Sequence, residues 1–259
     1  LLSELLIYLV GLISTGIVAG LIAGLFGVGG GIVIVPILFW IFTSLNFPDE
    51  ILMHMAIGSS LVTIIPTSIA SVRAHYKRGS IDIEILKKWG FGIFLGALLG
   101  GFSGKFISAN ELKYVFAFIA FIVALNMFIK NPLKLSNRLP KSKIINTFIS
   151  FIIGFMSSLM GVGAGTIGVP SLVSLSIPIH RAIGTAAALG LFISIPATFG
   201  LAFSGFDVPN RPPMSIGYVN LIGVLIMFPL TIFFAPLGVK IAHLINQRML
   251  KIIFGIFLM

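Results

Sequence analysis

The sequence contains no cysteine and has few acidic residues. With no Cys among its 259 residues, disulfide bonds, thiolate chemistry and Cys-based metal sites are all excluded. Charged residues make up 9% of the chain and hydrophobic residues 58%, and the mean hydropathy is +1.14. These values lie outside the range of soluble domains. They indicate an all-α polytopic membrane protein whose surroundings are the lipid bilayer.

The seven acidic residues share one property, which is that each is predicted at a helix end or in a loop. They are Glu4, Asp49, Glu50, Asp82, Glu84, Glu111 and Asp207. Because no carboxylate is predicted within a membrane span, a proton relay or a cation site built on carboxylates is not expected. No metal or cofactor is expected either. In Gly27-Val-Gly-Gly-Gly-Ile32, isoleucine takes the place of the third glycine of a dinucleotide-binding loop.

Basic residues outnumber acidic ones by 17 to 7, for a net charge of +10. In a soluble protein this excess would suggest nucleic acid, but here the basic residues cluster in loops, so no nucleic-acid partner is expected. The positive-inside rule places the loops at 73–88, 130–143 and 240–248 in the cytoplasm. The segments at 49–50, 110–111 and 206–213 then fall outside. The predicted location is the inner, or plasma, membrane of a bacterial-type cell.

The first residues of the chain are not expected to form a signal peptide. Residues 1–7 lack the basic region and the cleavage site of a signal peptide, so they are predicted to belong to the first helix. The chain begins without Met and ends within an apolar run at Phe257-Leu-Met259. We therefore expect that it has been trimmed at one or both ends.

Apolar segments alternate with polar loops along the whole chain. They lie at roughly 5–26, 32–45, 52–72, 89–104, 112–130, 144–162, 166–178, 182–204, 216–236 and 249–259. The segments at 32–45 and 166–178 are shorter than the ~20 residues that a full span needs. Each follows a glycine-rich stretch. Each is therefore predicted to form a hairpin of short or broken helices with the segment before it.

The glycine-rich stretch occurs twice. Residues 20–38 align with residues 154–172 at an offset of 134, and the identical positions in the first copy are Gly20, Leu25, Gly27, Val28, Gly29, Gly31, Val35, Pro36 and Leu38. Clustered glycines should break the helix and expose backbone N–H and C=O groups. At membrane depth such breaks are tolerated where they line a cavity or are buried in protein.

Further matches extend this repeat over the chain. His54-Met-Ala-Ile-Gly-Ser59 resembles His180-Arg-Ala-Ile-Gly-Thr185 at an offset of 126, and Gly100 matches Gly238 at an offset of 138. The loop orientations make the two halves inverted, each with a broken-helix hairpin and three transmembrane helices. The predicted organisation is a first repeat at 1–130, a cytoplasmic basic linker at 131–143 and a second repeat at 144–259.

The predicted site lies near the midplane, where the two broken elements meet. A helix that starts at a glycine loop offers unpaired N–H groups and the positive end of its dipole, which suit an anion. The predicted substrate-binding residues are Gly27, Gly29, Gly30, Gly31, Ser59, Ser60, Gly161, Gly163, Gly165, Thr166 and Thr185. His54, His180, Arg73 and Arg181 are predicted gating or vestibule residues, and Pro36 and Pro170 are predicted to shape the short helices. Gly96 and Gly100 are interpreted as helix-packing residues.

These motifs resemble the TauE/SafE family of sulfite exporters, also called sulfonate-uptake permeases. The similarity rests on the paired glycine motif, on Ala56-Ile-Gly-Ser-Ser-Leu61 and on Arg73-Ala-His-Tyr-Lys-Arg-Gly79. It implies a transporter of a small sulfur-containing anion such as sulfite, thiosulfate, sulfoacetate or another organosulfonate. Inverted repeats with broken helices favour alternating access over a channel. The second copy departs from strict equivalence because Ala164 replaces the middle glycine and Ala186 stands opposite Ser60.

Other readings of the same residues exist. A passive anion channel and an anion sensor that moves nothing would use a similar site, and a carrier could couple to H⁺ or Na⁺. Gly101-Phe-Ser-Gly104 has the form of an intramembrane serine protease motif. That chemistry needs a histidine base deep in another helix, whereas all four histidines are predicted near helix ends. We therefore do not expect an enzyme.

Overall fold

The fold is a helical bundle. The computed structural model describes residues 2–128 and 139–258. Its helices are α1 (Leu2–Phe26), α2 (Gly31–Ser44), α3 (Leu52–Tyr76), α4 (Ile83–Ser103), α5 (Ala109–Phe128), α6 (Lys143–Met160), α7 (Gly165–Ser174), α8 (Ile179–Ser204), α9 (Leu221–Leu244) and α10 (Gln247–Leu258). A 3₁₀ turn at Gly104–Phe106 follows α4, and the strands β1 (Ser215–Ile216) and β2 (Val219–Asn220) pair as an antiparallel hairpin before α9. Residues 129–138, which carry most of the predicted basic linker and include Lys130, Lys134 and Arg138, lie outside the described residues.

Helix length and composition confirm the multi-pass class. Within the described residues, six helices are long and apolar enough to cross a membrane, namely α1, α3, α4, α6, α8 and α9. They fall three to each half of the chain, at corresponding positions of the repeat. The helices α2 and α7 are apolar but short, with 14 and 10 residues. Both follow the glycine-rich stretches, as the sequence predicts.

One predicted apolar segment begins before its helix does. The apolar segment at 216–236 becomes helical only at Leu221, because the β1–β2 hairpin occupies its first residues. Gly217 takes a φ of 55° in the hairpin turn, a conformation that few other residues adopt. The Asn220 side chain then caps α9 by accepting the N–H of Gly223 at 3.1 Å. Hydropathy alone carries no signal for this short hairpin.

Helices from one half of the chain pack against helices from the other half in corresponding pairs. Helix α1 packs along α9, and its repeat counterpart α6 packs along α4, which is the counterpart of α9. Helices α3 and α8, which correspond to each other, pack together, and so do α5 and α10. This pattern is the one that a two-fold relation between the halves would give. The inverted orientation of the halves in the bilayer, and the boundaries of the repeats, remain predictions.

Glycines allow the closest of these helix contacts. A Cβ at Gly96 on α4 would lie 2.0 Å from Phe151 O on α6, and a Cβ at Gly24 on α1 would lie 2.0 Å from Ala235 O on α9. A Cβ at Gly100 would lie 2.0 Å from the Ser158 Oγ atom. The structure therefore confirms the packing role predicted for Gly96 and Gly100, since a side chain at either position would force the helices apart.

Loops that the basic-residue pattern assigns to one side of the membrane lie together. At one end of the bundle, Ser80 Oγ is 3.3 Å from His243 Nε2, and Arg181 forms a 2.9 Å ion pair with Asp82. At the other end, residues 49–52, 54, 105–110, 208 and 218 are among those that line one cavity. The clustering agrees with the predicted grouping of the loops. Which end faces the cytoplasm rests on the charge rule.

Candidate functional site

Both glycine-rich stretches interrupt a helix, as predicted. Helix α1 ends at Phe26 and α2 begins at Gly31, while α6 ends at Met160 and α7 begins at Gly165. Gly27 and Gly161 follow the two long helices at equivalent positions of the repeat, and their φ angles are 66° and 68°. This left-handed conformation ends a helix and strongly favours glycine. The repeated glycines therefore set where each hairpin turns.

The first hairpin enters and leaves at the same end of the bundle. The Tyr8 hydroxyl group near the start of α1 donates to Ser44 O at the end of α2, at 3.1 Å. Between them the chain passes through the glycine loop at 27–30. Entry and exit at one end agree with the predicted hairpin. Its first helix is not short, however, because α1 is long and apolar enough to cross a membrane.

The two glycine loops contact each other directly at the centre of the bundle. The N–H of Gly163 donates to Val28 O at 3.0 Å. A Cβ at Gly31 would lie 2.3 Å from Gly161 O, and a Cβ at Gly165 would lie 2.5 Å from the Val28 N atom. The N-termini of α2 and α7 thus meet across a backbone contact that admits no side chain. In this arrangement the Gly163 N–H, a predicted anion donor, is already paired.

Ser60 joins the same contact. Its hydroxyl group donates to Gly161 O at 2.7 Å, and the residue is fully buried. The single hydrogen of the hydroxyl is therefore used to hold the opposite loop. The equivalent position in the second half is Ala186, which has no hydroxyl, so this bond has no counterpart across the repeat.

Ser59 and Thr185 hold the starts of two other helices. Ser59 Oγ accepts the N–H of Asn220 at 2.8 Å, and Thr185 Oγ1 accepts the N–H of Asp82 at 2.9 Å. Asn220 is the N-cap of α9 and Asp82 is the N-cap of α4, so the two bonds are equivalent under the repeat. Both hydroxyl groups keep a hydrogen that they can donate.

We expect the Ser59→Ala variant to destabilise the protein by about 1–3 kcal/mol, because it leaves the buried N–H of Asn220 without its acceptor. Thermal unfolding in detergent measures this as a lower midpoint. Ser14→Ala is a suitable control, since the Ser14 hydroxyl is exposed and donates only to Gly11 O in its own helix. Equal midpoints for Ser59→Ala and the wild type would contradict the anchoring role.

His54 lies in a buried position next to a wide cavity. Its Nε2 atom is 3.0 Å from Gly104 O and 3.0 Å from Ile107 O, and its ring stacks on Tyr218 at 4.7 Å between centroids. The adjoining cavity has a volume of about 810 Å³. It is lined by residues that include Asp49, Glu50, His54, Lys105, Lys113 and Tyr218. Burial raises the pKa of the Tyr218 hydroxyl group above its usual range, so this group is neutral at physiological pH.

The other predicted gating residues lie at the opposite end. The His180 ring stacks on His243 at 5.3 Å between centroids, and Arg181 pairs with Asp82. Arg73 is exposed and lines a groove of about 560 Å³ that also contains Lys77, Arg78 and Lys240. The structure therefore does not bring His54, His180, Arg73 and Arg181 together in one place. His54 and His180 match in the repeat, yet only His54 is buried.

The two prolines lie inside the short helices. Pro36 falls in α2 and Pro170 in α7, where each removes one backbone N–H from the helix ladder. Their positions fit the helix-shaping role that the sequence predicts.

In the described part of the chain, most of the buried polar side chains carry hydroxyl groups, and none carries a fixed charge. Its buried residues include many Ser and Thr and two His, but no Asp, Glu, Lys or Arg. Sequence reasoning missed Ser68 and Ser194, which match at an offset of 126 and are both buried. The repeat itself would have singled them out, since each lies nine residues beyond the aligned Ser59 and Thr185.

The serine of the protease-like motif Gly101-Phe-Ser-Gly104 bonds within its own helix. Ser103 donates its hydroxyl hydrogen to Leu99 O, at 2.6 Å, within α4. His54, which lies near the following residue Gly104, directs Nε2 at two backbone carbonyls.

The described residues form six membrane-capable helices, three in each half, and two short helices that meet at their N-termini. This arrangement defines a multi-pass membrane protein. The chain belongs to the family described as sulfite exporter TauE/SafE, whose sequence profile matches residues 12–259. This membership confirms the resemblance found in the motifs.

Similar proteins carry transporter names. The chain is 33% identical to a probable membrane transporter protein of Haemophilus influenzae, over 94% of this chain and 92% of that protein. It is 32% identical to one of Methanocaldococcus jannaschii, over 96% and 92% of the two chains. The probable membrane transporter protein YunE of Bacillus subtilis is 27% identical over 92% and 88%. No solved structure matches the chain.

Proposed function

We propose that this protein carries a small sulfur-containing anion across the membrane by alternating access, through a central site at the N-termini of α2 and α7. Sulfite, thiosulfate, sulfoacetate and other organosulfonates are the candidate substrates. Membership of a family named for sulfite export supports this choice.

The observation that carries the proposal is the contact between the two glycine loops, in which the N–H of Gly163 donates to Val28 O. Two short helices then direct the positive ends of their dipoles and their first N–H groups, which a helix leaves unpaired, toward one region. An anion with several acceptor oxygens suits such a region. The lack of buried carboxylates in the described residues removes the repulsion that an anion would otherwise meet.

Uptake by purified protein in proteoliposomes tests the proposal. Labelled sulfite, thiosulfate and a simple sulfonate are supplied outside, with and without the unlabelled anion inside, and with pH and Na⁺ gradients imposed separately. We expect saturable uptake of at least one anion, accelerated by the same anion inside. A dependence on either gradient would identify H⁺ or Na⁺ as the coupled ion.

Two outcomes would count against the proposal. Uptake that neither saturates nor responds to internal anion would indicate a channel. A folded protein that moves none of the three anions would remove the sulfur-anion assignment. Thermal unfolding in detergent establishes that the protein used is folded.

A further inference from the structure

Two buried hydroxyl groups have no hydrogen-bond partner near the N-terminus of α7. Ser68 on α3 is 1% exposed, and Thr166 on α7 is 0% exposed. Neither the Ser68 Oγ atom nor the Thr166 Oγ1 atom makes a hydrogen bond. Buried polar groups in proteins are nearly always paired, so each of these unpaired hydroxyl groups requires an explanation.

Ser68 and the start of α7 border the same small space. A Cβ placed at Gly190 on α8 would lie 3.0 Å from the Ser68 Oγ atom and 3.9 Å from the N atom of Ala164. Ala164 is the N-cap residue of α7, and Thr166 lies in the first turn. The space that a Gly190 side chain would fill is therefore bordered both by the Ser68 hydroxyl group and by the Ala164 N atom at the start of α7.

The matching space beside α2 is filled. Ile64 occupies the position that corresponds to Gly190, at an offset of 126. Its side chain lies 2.6 Å from where a Cβ at Gly29 would be and 3.0 Å from where a Cβ at Gly31 would be. In addition, Ile32 stands where the second half has Thr166. At these two positions the α2 side thus has the aliphatic residues Ile64 and Ile32, whereas the α7 side has Gly190 and Thr166.

We propose that the anion binds on one side of the centre, at the N-terminus of α7, with Ser68 and Thr166 as its hydroxyl donors and Gly190 providing the room. The glycine loop before α2 supplies packing and shape. The proposal rests on the proposed function and deepens it, because it names the donors and removes the expected equivalence of the two halves. A small oxyanion is the matching ligand, since hydroxyl and amide donors bind acceptor oxygens.

Binding of thiosulfate and sulfite to purified variants in detergent, measured by calorimetry alongside the KM for uptake, tests this assignment. Loss of one hydrogen bond to a charged ligand raises Kd roughly ten-fold or more. We expect this increase for Ser68→Ala and for Thr166→Val, and near wild-type binding for Thr166→Ser, which keeps the hydroxyl. Ser71→Ala is the matched control. Ser71 is 1% exposed, its hydroxyl also lacks a partner, and it lies about one turn beyond Ser68 on α3.

Unchanged affinity in both Ser68→Ala and Thr166→Val would overturn the assignment. So would an equal loss in Ser71→Ala, because it would show a general effect of interior polarity. If Ser68→Ala does not fold, the pair Thr166→Ser and Thr166→Val decides the outcome alone. A wild-type protein that neither binds nor moves these anions would refute the proposed function itself, and this result is distinct from the others.

Discussion

Replacing Gly165 by Ala should reduce anion uptake by roughly ten-fold or more. The added Cβ would lie 2.5 Å from Val28 N and 2.6 Å from both the C and O atoms of Gly27, which are backbone atoms of the opposite loop. Relief of such overlap requires the loops to separate, and overpacking of this kind costs about 1–3 kcal/mol. Separation would displace the start of α7 from Ser68. Proteoliposome uptake and thermal unfolding measure the two consequences.

Gly168→Ala provides the matched control on the same helix. A Cβ at Gly168 would meet only the Ala164 Cβ atom, at 3.7 Å, which is an ordinary contact. Gly168 also lies inside α7, where Ala is the better helix former by about 1 kcal/mol. We expect unchanged uptake and a slightly higher unfolding midpoint. Similar losses in Gly165→Ala and Gly168→Ala would show that the loop contact is not the cause.

The His54→Phe variant should be destabilised by about 1–3 kcal/mol, because it removes the hydrogen bonding of His54 Nε2 to two backbone carbonyls. Phenylalanine can still stack on Tyr218, but it has no N–H to donate to Gly104 O and Ile107 O. These two carbonyls lie at the junction between α4 and α5. Without the His54 N–H that they share, the junction should loosen. Chemical or thermal unfolding in detergent gives the change in stability.

His180→Phe serves as the comparison because His180 occupies the same place in the repeat. Its ring is partly exposed and stacks on His243, and Phe can keep that stacking. A change within about 0.5 kcal/mol is expected, as for most surface substitutions. If His180→Phe were as destabilised as His54→Phe, the difference in their surroundings would not matter to stability.

The local features of the fold followed from the sequence. Each of the ten apolar segments contains a helix, and the helix breaks fall at the glycines because Gly27 and Gly161 can take a positive φ. The pairing of α1 with α9 and of α6 with α4 is the one that two corresponding halves would give, and the repeat itself stays a prediction. Apolar segments and glycine clusters are local patterns, and the repeat is found by comparing the sequence with itself. None of them requires knowledge of which helices are in contact.

The partners of individual polar groups could not be predicted in this way. Ser60 bonds to Gly161 and Ser59 bonds to Asn220, although the two serines are adjacent in sequence. The direction of each side chain on α3 depends on which helix packs beside it. For the same reason the sequence placed His54 and His180 in one class, whereas the structure buries only His54. The role of the eleven predicted substrate-binding residues as ligands stays a prediction.

The interior of hydroxyls and amides has an electrical consequence. The described core contains no buried Asp, Glu, Lys or Arg. An anion at its centre would therefore have no fixed positive charge beside it to neutralise its own. Each anion carried alone would therefore move its full negative charge through the membrane field, at about 2.3 kcal/mol per charge per 100 mV. A cell interior held negative would drive the anion outward, and import against that potential would need a steep inward gradient of the anion or a cation that moves with it.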